Sequence, residues 1–464
     1  MAPILAPNLT IRNLTPTPLQ LTHTARFACE RVSTGTALGN ACGVLTSLFH
    51  ATDFPTKALL PTGDPLSSGP TSLDIGPFRI RETDVPAPAP REVLRLTFEA
   101  QGVRYETDAP SPTRKSVTMR RVGGGEGESF TPVYLPSQAF LAVFSSSRLA
   151  SWMAGLDEDL RLSALSMPGT HNSPCHYFAL PSVRCQVAPI RAQLNNGVRF
   201  LDVRVSAESD SDRMPLVHSA FPVSFWGTRY FHEVLDECYT FLDANPTECL
   251  VMSVKREGTG RAGDKEMSRY LRDAHIAKDQ DRWFTAGHVP RLREVRGKIV
   301  LLRRFVADEQ VRKESGGFFG INAQSFPDNC ADGAVNHRNQ PLLRVQDFYS
   351  IGWGTDIKRK IELGCDHLVR AAGEAHSGEG VPVFLNFLSA SNFFNAACWP
   401  ERIAAKVNPA VVEHLCMRHG IEAEAEGKGC GATGIVVTDW VGAYGDWDLV
   451  RCVVGMNARH LVKG

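Results

Sequence analysis

Polar side chains recur at the carboxyl ends of apolar segments in the later two thirds of the chain. His171 follows SALSMPGT, where the PGT tripeptide turns the chain away from a predicted strand. Asp202 and Arg204 close VRFLDVRV, and His218 closes MPLVH. Five further segments end in the same way, with Lys255, Arg303 and Arg304, Gln346 and Asp347, Asn386, and Asp439.

These residue types suit acid–base chemistry on a phosphate. Histidine can act as a base in one step and as an acid in the next, because its ordinary pKa lies near neutral pH. Arginine presents a planar fork of donors that matches a phosphate group. Asp202 and Arg204 are two residues apart on a strand, so both can face one side. Two histidines beside an arginine-bound phosphodiester predict phosphoryl transfer by internal attack of a neighbouring hydroxyl.

The elements that must position these residues follow a repeating pattern. Eight apolar segments alternate with mostly helical connections, and this favours a TIM-like (β/α) barrel over an open sheet. The carboxyl ends of barrel strands converge on one rim, so the polar ends should form one cluster. Arg303 and Arg304 point to opposite faces of their strand, and we expect Arg304 to enter the site. The eight segments are LSALSM, VRFLDVRV, MPLVHS, CLVMSVKRE, KIVLLRRF, LLRVQDFY, PVFLNFLS and GIVVTDW.

The first part of the chain has a different pattern. Apolar and polar residues alternate in stretches such as EVLRLTFEAQGVRYET, and turn-rich stretches such as PTGDPLSSGPTS and VPAPAP separate them. Short strands between such turns predict an all-β, sandwich-like domain. We therefore divide the chain into an N-terminal β domain at 1–145, whose role no motif indicates, and a barrel domain at 146–464.

Composition excludes several classes of partner. Fifty basic residues balance fifty acidic ones, so no global field attracts nucleic acid. The twelve cysteines show no metal-binding spacing, and we interpret most as buried thiols without disulfides. The sequence has neither a basic segment leading into an apolar one at its start nor an apolar run of 18 residues. We expect a cytoplasmic or peripheral membrane location.

The order of the motifs carries a family resemblance. Over about residues 150 to 460, the chain resembles the X domain of phosphatidylinositol-specific phospholipase C, in its bacterial-type, single-domain branch. The resemblance implies a TIM-like barrel that cleaves phosphatidylinositol, or a glycosylated inositol lipid, to diacylglycerol and inositol 1,2-cyclic phosphate. The matching motifs are PGTHNS, GVRFLDVRV, PLVHS, ECLVMSVKRE, RGKIVLLRRF, VQDFY, LNFLSAS and GIVVTDW.

The resemblance also implies roles for individual residues. His171 is similar to the general base that takes the proton of the inositol 2-hydroxyl, and Asp439 to the carboxylate that orients it. His218 resembles the general acid for the leaving diacylglycerol oxygen, and Arg204 the cation that binds the phosphate. Four residues match positions that line the inositol pocket in the family, namely Lys255, Arg304, Asp347 and Tyr349.

Two positions refine this assignment. Calcium-dependent relatives have a carboxylate ligand where this chain has Arg204, and a guanidinium cannot bind calcium. We therefore expect no metal and no cofactor. The bacterial-type pattern has aspartate directly after the first histidine, whereas this chain has Asn172. An amide cannot supply that negative charge, so the acid step could be weaker or Asp202 could compensate.

Other functions stay open at this point. The presence of Asn172 instead of aspartate is compatible with a function as a non-catalytic or weakly active phosphoinositide-binding protein. The presence of His171 and His218 argues against this alternative, because a protein that only binds lipid needs no general base or acid. A phosphodiesterase acting on another phosphodiester is a second alternative. We expect a monomer whose partner is an inositol phospholipid in a membrane, with no binding to nucleic acid. Trp226, Phe394 and Trp399 lie in aromatic segments near the predicted rim and could enter the lipid interface.

Overall fold

The computed structural model describes residues 6–33, 57–113, 115–123, 127–146, 148–337, 340–375, 380–421 and 431–461. Contacts group the chain into two compact units. The first comprises Met1–Ser147, Val412–Arg418 and Tyr444–Arg459, and the second comprises Arg148–Val411, His419–Ala443 and His460–Gly464. Within the described ranges, no helix is both long enough and apolar enough to cross a lipid bilayer.

The first unit is built from two β-sheets that share one core. One sheet has the strand order β4-β1-β9-β8 and the other β3-β2-β5-β6-β7. Leu9 and Val143 from the first sheet pack with Leu21 and Phe98 from the second in a single buried cluster, which confirms the all-β, sandwich-like prediction. The strands are β1 (Asn8–Asn13), β2 (Leu19–Ser33), β3 (Lys57–Ile75), β4 (Ile80–Pro86), β5 (Glu92–Ala100), β6 (Val103–Ala109), β7 (Arg120–Val122), β8 (Phe130–Leu135) and β9 (Phe140–Ser145).

One predicted turn is wrong. PTGDPLSSGPTS lies inside β3, which pairs along its length with β2. Arg26 pairs with Ser67 and Ala28 with Thr62, so β3 has extra residues between these two pairs. Gly63 has φ +67°, a conformation that glycine adopts at little cost. The turn-forming residues therefore form a bulge within a strand instead of separating two strands.

The second unit contains a curled, mostly parallel sheet of ten strands. Its order is β15-β16-β14-β11-β10-β21-β20-β19-β18, and β17 also pairs with β16. Only the β18–β19 pair is antiparallel. The ten strands are β10 (Met167–Thr170), β11 (Phe200–Val205), β14 (Leu250–Arg256), β15 (Trp283–Phe284), β16 (Ile299–Arg303), β17 (Ile321–Asn322), β18 (Gly333–His337), β19 (Gln340–Gln346), β20 (Val383–Phe387) and β21 (Ile435–Thr438), and a separate pair is formed by β12 (Val217–His218) and β13 (Phe221–Pro222).

Helices follow most of these strands, as a β/α alternation requires. The helix α2 begins after a capping box in which Glu233 accepts a hydrogen bond from the backbone of Tyr230, and its buried face includes Val234, Cys238 and Phe241. The α-helices are α1 (Ile190–Asn195), α2 (Phe231–Ala244), α3 (Asp264–Tyr270), α4 (Leu292–Val295), α5 (Glu309–Glu314), α6 (Gly354–Glu374), α7 (Pro400–Met417) and α8 (Asp448–Gly455).

The predicted TIM-like barrel class is confirmed, with one segment placed differently. Seven of the eight predicted segments contribute to parallel strands of the sheet. The exception is MPLVHS, whose β12 pairs only with β13 in a separate two-stranded ribbon. Its neighbour Leu216 makes an isolated antiparallel bridge to Val205 at the end of β11. Among the described residues, no strand pairing closes the sheet between β17 and β18.

LSALSM contributes only Met167 to its strand, because Leu162–Ala164 form a short 3-10 helix and β10 is Met167–Thr170. Pro168–Thr170 therefore pair with β21 as part of the strand, and the prediction that they turn the chain away from it is wrong.

A buried ion pair fastens the amino-terminal ends of β11 and β14. Arg199 precedes β11 and Glu248 precedes β14; both side chains are fully buried, with Nε of Arg199 2.9 Å from Oε2 of Glu248. The remaining guanidinium donors bond to backbone carbonyls of residues such as Leu149 and Leu194. Glu248 in turn accepts the amide proton of Met153. These contacts hold an irregular segment against the sheet.

Breaking this pair should destabilise the barrel unit. Arg199→Leu leaves the Glu248 carboxylate buried without a cation, and such a loss costs about 3–5 kcal/mol. The measurement is urea unfolding followed by tryptophan fluorescence, because Trp152 donates a hydrogen bond to Gly197 nearby. Arg191→Ala is the matched control, since Arg191 and Glu237 form a partly exposed pair, where we expect a change below about 1 kcal/mol. Equal unfolding midpoints for both variants would contradict this account.

Candidate active site

His171 lies where β10 ends beside its neighbour β21. Its backbone amide donates to the Thr438 carbonyl at 2.9 Å, continuing the strand pairing by one residue. The side-chain amide of Gln186 donates to the carbonyls of both His171 and Thr438, at 2.8 Å each. Nδ1 of the imidazole is 2.9 Å from Oδ1 of Asp439, the first residue after β21. The parallel pairing of two strands therefore creates the histidine–carboxylate pair.

His218 faces His171 from the separate ribbon. The two rings are perpendicular, with centroids 5.7 Å apart. Nδ1 of His218 is 2.7 Å from the Val183 carbonyl oxygen. A carbonyl can only accept, so Nδ1 carries a proton and Nε2 is the nitrogen that can exchange one. His218 thus joins the cluster although its segment is outside the parallel sheet.

Arg204 is held between two carboxylates. Its Nε donates to Oδ2 of Asp202 at 3.0 Å, and another guanidinium nitrogen lies 3.1 Å from Oε1 of Glu257. The second oxygen of Glu257 accepts the amide proton of Ser219, next to His218. The guanidinium is thereby oriented before any substrate arrives. Glu257 was missed by the sequence analysis, although it stands two residues beyond Lys255 at the end of β14.

Asp202 is a fully buried carboxylate that remains ionised. Burial raises its pKa, but the charges of Arg204 and Arg304 outweigh that effect, so the pKa lies below its usual range. Its Oδ2 also accepts the backbone amide proton of Asn172 at 3.1 Å. Asp202 therefore ties the loop after β10 to the arginine on β11.

The electrostatic surroundings keep His171 neutral. Burial lowers its pKa well below the ordinary value, and the nearby charge of Arg204 lowers it further. A neutral imidazole with its Nδ1 proton directed at Asp439 has a lone pair on Nε2. That is the protonation state a general base requires.

Asn172 contributes through its backbone. Its φ is +40°, in the left-handed region that asparagine tolerates better than most residues. The side-chain amide is fully buried, and neither its oxygen nor its nitrogen has a hydrogen-bond partner in the described structure. The imidazole of His218 is oriented by the Val183 carbonyl, not by the side chain of Asn172 or Asp202.

The two adjacent arginines at the end of β16 point in different directions. Arg304 lies 3.6 Å from Oδ1 of Asp202 and stacks over the ring of Phe326, with its guanidinium carbon 3.6 Å from the ring centroid. Arg303 instead donates to the carbonyl of Phe319 at 3.0 Å. The structure therefore brings Arg304, and not Arg303, to the cluster.

The remaining residues predicted to line the inositol pocket differ in how deeply they are buried. Nζ of Lys255 is 3.1 Å from Oε1 of Glu257, so it joins the Arg204 network. Asp347 is buried, and burial raises its pKa to about 6. The sequence analysis missed Lys360 on α6, whose ammonium group is close enough to influence Asp347 and donates to Oε1 of Gln346. Tyr349, two residues beyond Asp347, is exposed.

Aromatic side chains are exposed on the loops that follow the carboxyl ends of the strands. Trp226 is 73% exposed and Phe394 is 95% exposed. Phe221 stacks on Phe393, with ring centroids 5.3 Å apart. Trp399 differs from these residues, since it is partly buried and donates its indole proton to the Phe393 carbonyl. We call the exposed set the aromatic rim: Phe221, Phe225, Trp226, Tyr349, Trp353, Phe393 and Phe394.

Comparisons with known proteins find similar sequences. Residues 161–305 match the sequence model of the phosphatidylinositol-specific phospholipase C X domain. The 1-phosphatidylinositol phosphodiesterase of Staphylococcus aureus (strain Newman) is 26% identical over 325 residues, which cover 66% of this chain and 94% of that protein. The enzyme of the same name from Listeria monocytogenes is 28% identical over 274 residues, or 57% of this chain and 74% of its own length.

Solved structures support the fold. A mutant of the phosphatidylinositol-specific phospholipase C from Staphylococcus aureus superposes with a TM-score of 0.53 at 23% identity, covering 67% of this chain and 98% of that one. The residues matched by the family's sequence model, 161–305, include His171, Arg204 and His218. Residues 161–305 of this chain are therefore similar to the X domain of phosphatidylinositol-specific phospholipase C, which confirms the resemblance that the ordered motifs predict.

Proposed function

We propose that this chain is a metal-independent phospholipase C that converts phosphatidylinositol, or a glycosylated form of it, to diacylglycerol and inositol 1,2-cyclic phosphate. The names of the curated relatives support the reaction class, since they are phosphatidylinositol phosphodiesterases. The observation that carries the proposal is the pair of facing imidazoles, His171 held by Asp439 and His218 held by a carbonyl. A protein that only binds lipid needs neither arrangement.

The proposed reaction is a single displacement at phosphorus. The inositol 2-hydroxyl oxygen attacks phosphorus while Nε2 of His171 takes the hydroxyl proton. The bond between phosphorus and the glycerol oxygen breaks, and His218 gives its proton to that oxygen. His171 ends protonated and His218 neutral, so proton exchange with water restores both for the next turnover.

Arg204 supplies the positive charge that the phosphate needs. Its guanidinium is fixed by Asp202 and Glu257, so it does not have to reorganise as charge develops on the phosphate oxygens. Two carboxylates close to one guanidinium also reduce the net charge of the empty site. A guanidinium cannot be a ligand for a cation, so the presence of Arg204 at the phosphate supports a reaction without calcium.

The direct test is product analysis on phosphatidylinositol vesicles with and without EGTA. We expect cyclic inositol phosphate at equal rates in both conditions. Activity that EGTA abolishes would overturn metal independence. Absence of product from every inositol lipid would overturn the proposal in favour of a binding protein, and cleavage of another phosphodiester alone would change the substrate.

The pH profile should depend on Asp347. Its pKa of about 6 means that the carboxylate is ionised above that pH and becomes protonated below it. An ionised carboxylate can accept hydrogen bonds from two inositol hydroxyl groups, so kcat/KM should fall below about pH 6. The pKa of His171 lies well below its ordinary value, so His171 does not set this limit. The charged groups that act on Asp347 are Lys360, Arg304, Arg204 and Asp202.

The variant Asp347→Asn distinguishes the titration of Asp347 from that of His171. We expect its residual activity to persist to a lower pH than that of the wild type, because an amide does not titrate. Asp328→Asn is the matched control, since Asp328 also lies near Arg304 and Lys255 but is largely exposed; it should keep the limit near pH 6. An unchanged limit in Asp347→Asn would assign the titration to another group.

The aromatic rim should mediate membrane contact. Transfer of an exposed ring into the lipid interface contributes about 1 kcal/mol or more. The double variant Trp226→Ala/Phe394→Ala should therefore bind vesicles at least about tenfold more weakly and keep its rate on a short-chain monomeric substrate. Val369→Ala, which removes an exposed apolar side chain from α6, is the control. Equal losses on vesicles and on the monomeric substrate would contradict an interfacial role.

A further inference from the structure

Cys185 lies against the catalytic pair without a role in the proposed reaction. Its Sγ is 3.5 Å from Nδ1 of His218, and the side chain is fully buried. One donor atom from each of His171, Cys185 and His218 lies within 4.8 Å of the other two. None of the ten cysteines in the described ranges forms a disulfide, so this thiol is available as a ligand.

Two imidazoles and a thiolate form a typical zinc-binding set. Structural and catalytic zinc sites use nitrogen and sulfur ligands in tetrahedral geometry, and three protein ligands leave one position for water. The second shell is already present, because Asp439 holds Nδ1 of His171 and leaves Nε2 for a metal. A tetrahedral ion with bonds of about 2.0 Å to nitrogen and 2.3 Å to sulfur needs its donors about 3.3–3.5 Å apart. Because the three donors lie within 4.8 Å of one another, each pair needs to approach by at most about 1.5 Å.

We propose that His171, His218 and Cys185 form an inhibitory site for zinc or a similarly soft divalent ion. On binding, the thiol releases one proton to solvent and the thiolate coordinates the ion. The lone pair of His171 is then occupied and cannot accept the hydroxyl proton. A metal-bound His218 is neutral and cannot protonate the leaving oxygen. The inhibition part of this inference rests on the proposed function, whereas the binding part does not.

A second buried thiol provides the matched comparison. Sγ of Cys175 is 2.9 Å from the Val183 carbonyl oxygen, and Sγ of Cys185 is 3.3 Å from the same atom. Both thiols are fully buried in the same loop after β10. Cys175 lies outside the set of three close donors. The two cysteines therefore share their loop and their burial, and Cys185 alone belongs to the set of three close donors.

The first experiment measures zinc binding without substrate, by calorimetric titration of the full chain with zinc chloride. We expect wild type and Cys175→Ser to bind one ion tightly. Cys185→Ser should bind at least about 100-fold more weakly, since even loss of an outer-shell partner costs 10–100-fold. Wild-type affinity in Cys185→Ser, an equal loss in Cys175→Ser, or no tight zinc binding by the wild type would each overturn the site.

A spectroscopic measurement on the wild type covers the case in which Cys185→Ser fails to fold. X-ray absorption at the zinc edge should give one sulfur ligand at about 2.3 Å with nitrogen ligands at about 2.0–2.1 Å. A shell made of nitrogen and oxygen alone, or one with several sulfurs, would overturn the assignment.

The inhibition experiment compares each protein with its own metal-free rate on phosphatidylinositol. Zinc should inhibit wild type and Cys175→Ser at concentrations at least about tenfold below those that inhibit Cys185→Ser. Tight zinc binding that leaves turnover unchanged would overturn the inhibitory role. If no variant cleaves the lipid yet zinc binds as described, the proposed function fails and the metal site stands.

Discussion

His171→Ala is expected to lower kcat/KM on phosphatidylinositol vesicles by about 10³-fold, within the 10²–10⁴ range of general acid–base catalysis. The structure gives three physical reasons. Burial keeps the imidazole neutral, Asp439 fixes its Nδ1 proton, and the Gln186 side chain holds the His171 carbonyl. Alanine removes the lone pair that accepts the hydroxyl proton while the backbone pairing to Thr438 can persist. The measurement is the rate of cyclic product release.

Two further variants test whether the loss is chemical. Asp439→Asn should give a smaller reduction, because the imidazole remains but the carboxylate that accepts its Nδ1 proton in a hydrogen bond is gone. His288→Ala, at an exposed histidine paired with Glu294, should retain the wild-type rate. A reduction below tenfold in His171→Ala would mean that another group takes the proton. A lower unfolding midpoint in His171→Ala would assign part of the reduction to stability.

The sequence predicts the site well where strand order determines position. His171, Arg204, Lys255, Arg304 and Asp439 all follow or close parallel strands, and neighbouring strand ends must lie together. Once seven such strands are recognised, a cluster of their terminal polar residues follows from geometry alone. The choice of Arg304 over Arg303 likewise depends only on the alternation of side chains along a strand.

Contacts made by irregular segments are harder to predict. The segment near residue 150 has an amphipathic, helix-like pattern, but its backbone groups bond to Arg199 and Glu248 instead of forming a long helix. Cys185 contacts His218 because the loop after β10 folds back toward that histidine. No local sequence pattern predicts this contact. Only the three-dimensional structure brings these residues together.

The position of His218 also depends on contacts made by irregular segments. Its segment has the apolar pattern of a strand, yet it forms a short ribbon outside the sheet. Ser219 has φ +53°, which reverses the chain directly after the histidine. The amide of Ser219 donates to Glu257 at the end of β14, and Val183 fixes the ring. Motif order predicts a place for His218 beside His171, where the structure has it, whereas periodicity assigns it to the wrong element.

Arg204→Ala should also lower kcat/KM by about 10³-fold, because loss of one preorganised donor alone costs about 10²–10³-fold. The variant leaves the buried carboxylate of Asp202 and that of Glu257 without the guanidinium that bonds to both. The site then loses one positive charge where the phosphate must bind, and the remaining cations, Arg304 and Lys255, already face Asp202 and Glu257. The measurement is cyclic product release by variants whose folding is verified by circular dichroism, with Arg191→Ala as the exposed-arginine control.

The lysine variant separates charge from geometry at this position. Arg204→Lys keeps one positive charge, but a single ammonium group lacks the planar fork that reaches Asp202 and Glu257 together. We therefore expect a loss of about 10²-fold, intermediate between wild type and alanine. If lysine restored the wild-type rate, charge alone would suffice and the two carboxylates would have no orienting role. If neither variant lost at least tenfold in kcat/KM, the phosphate would have to be bound by Arg304 or Lys255. The argument for metal independence would then depend on that residue instead of Arg204.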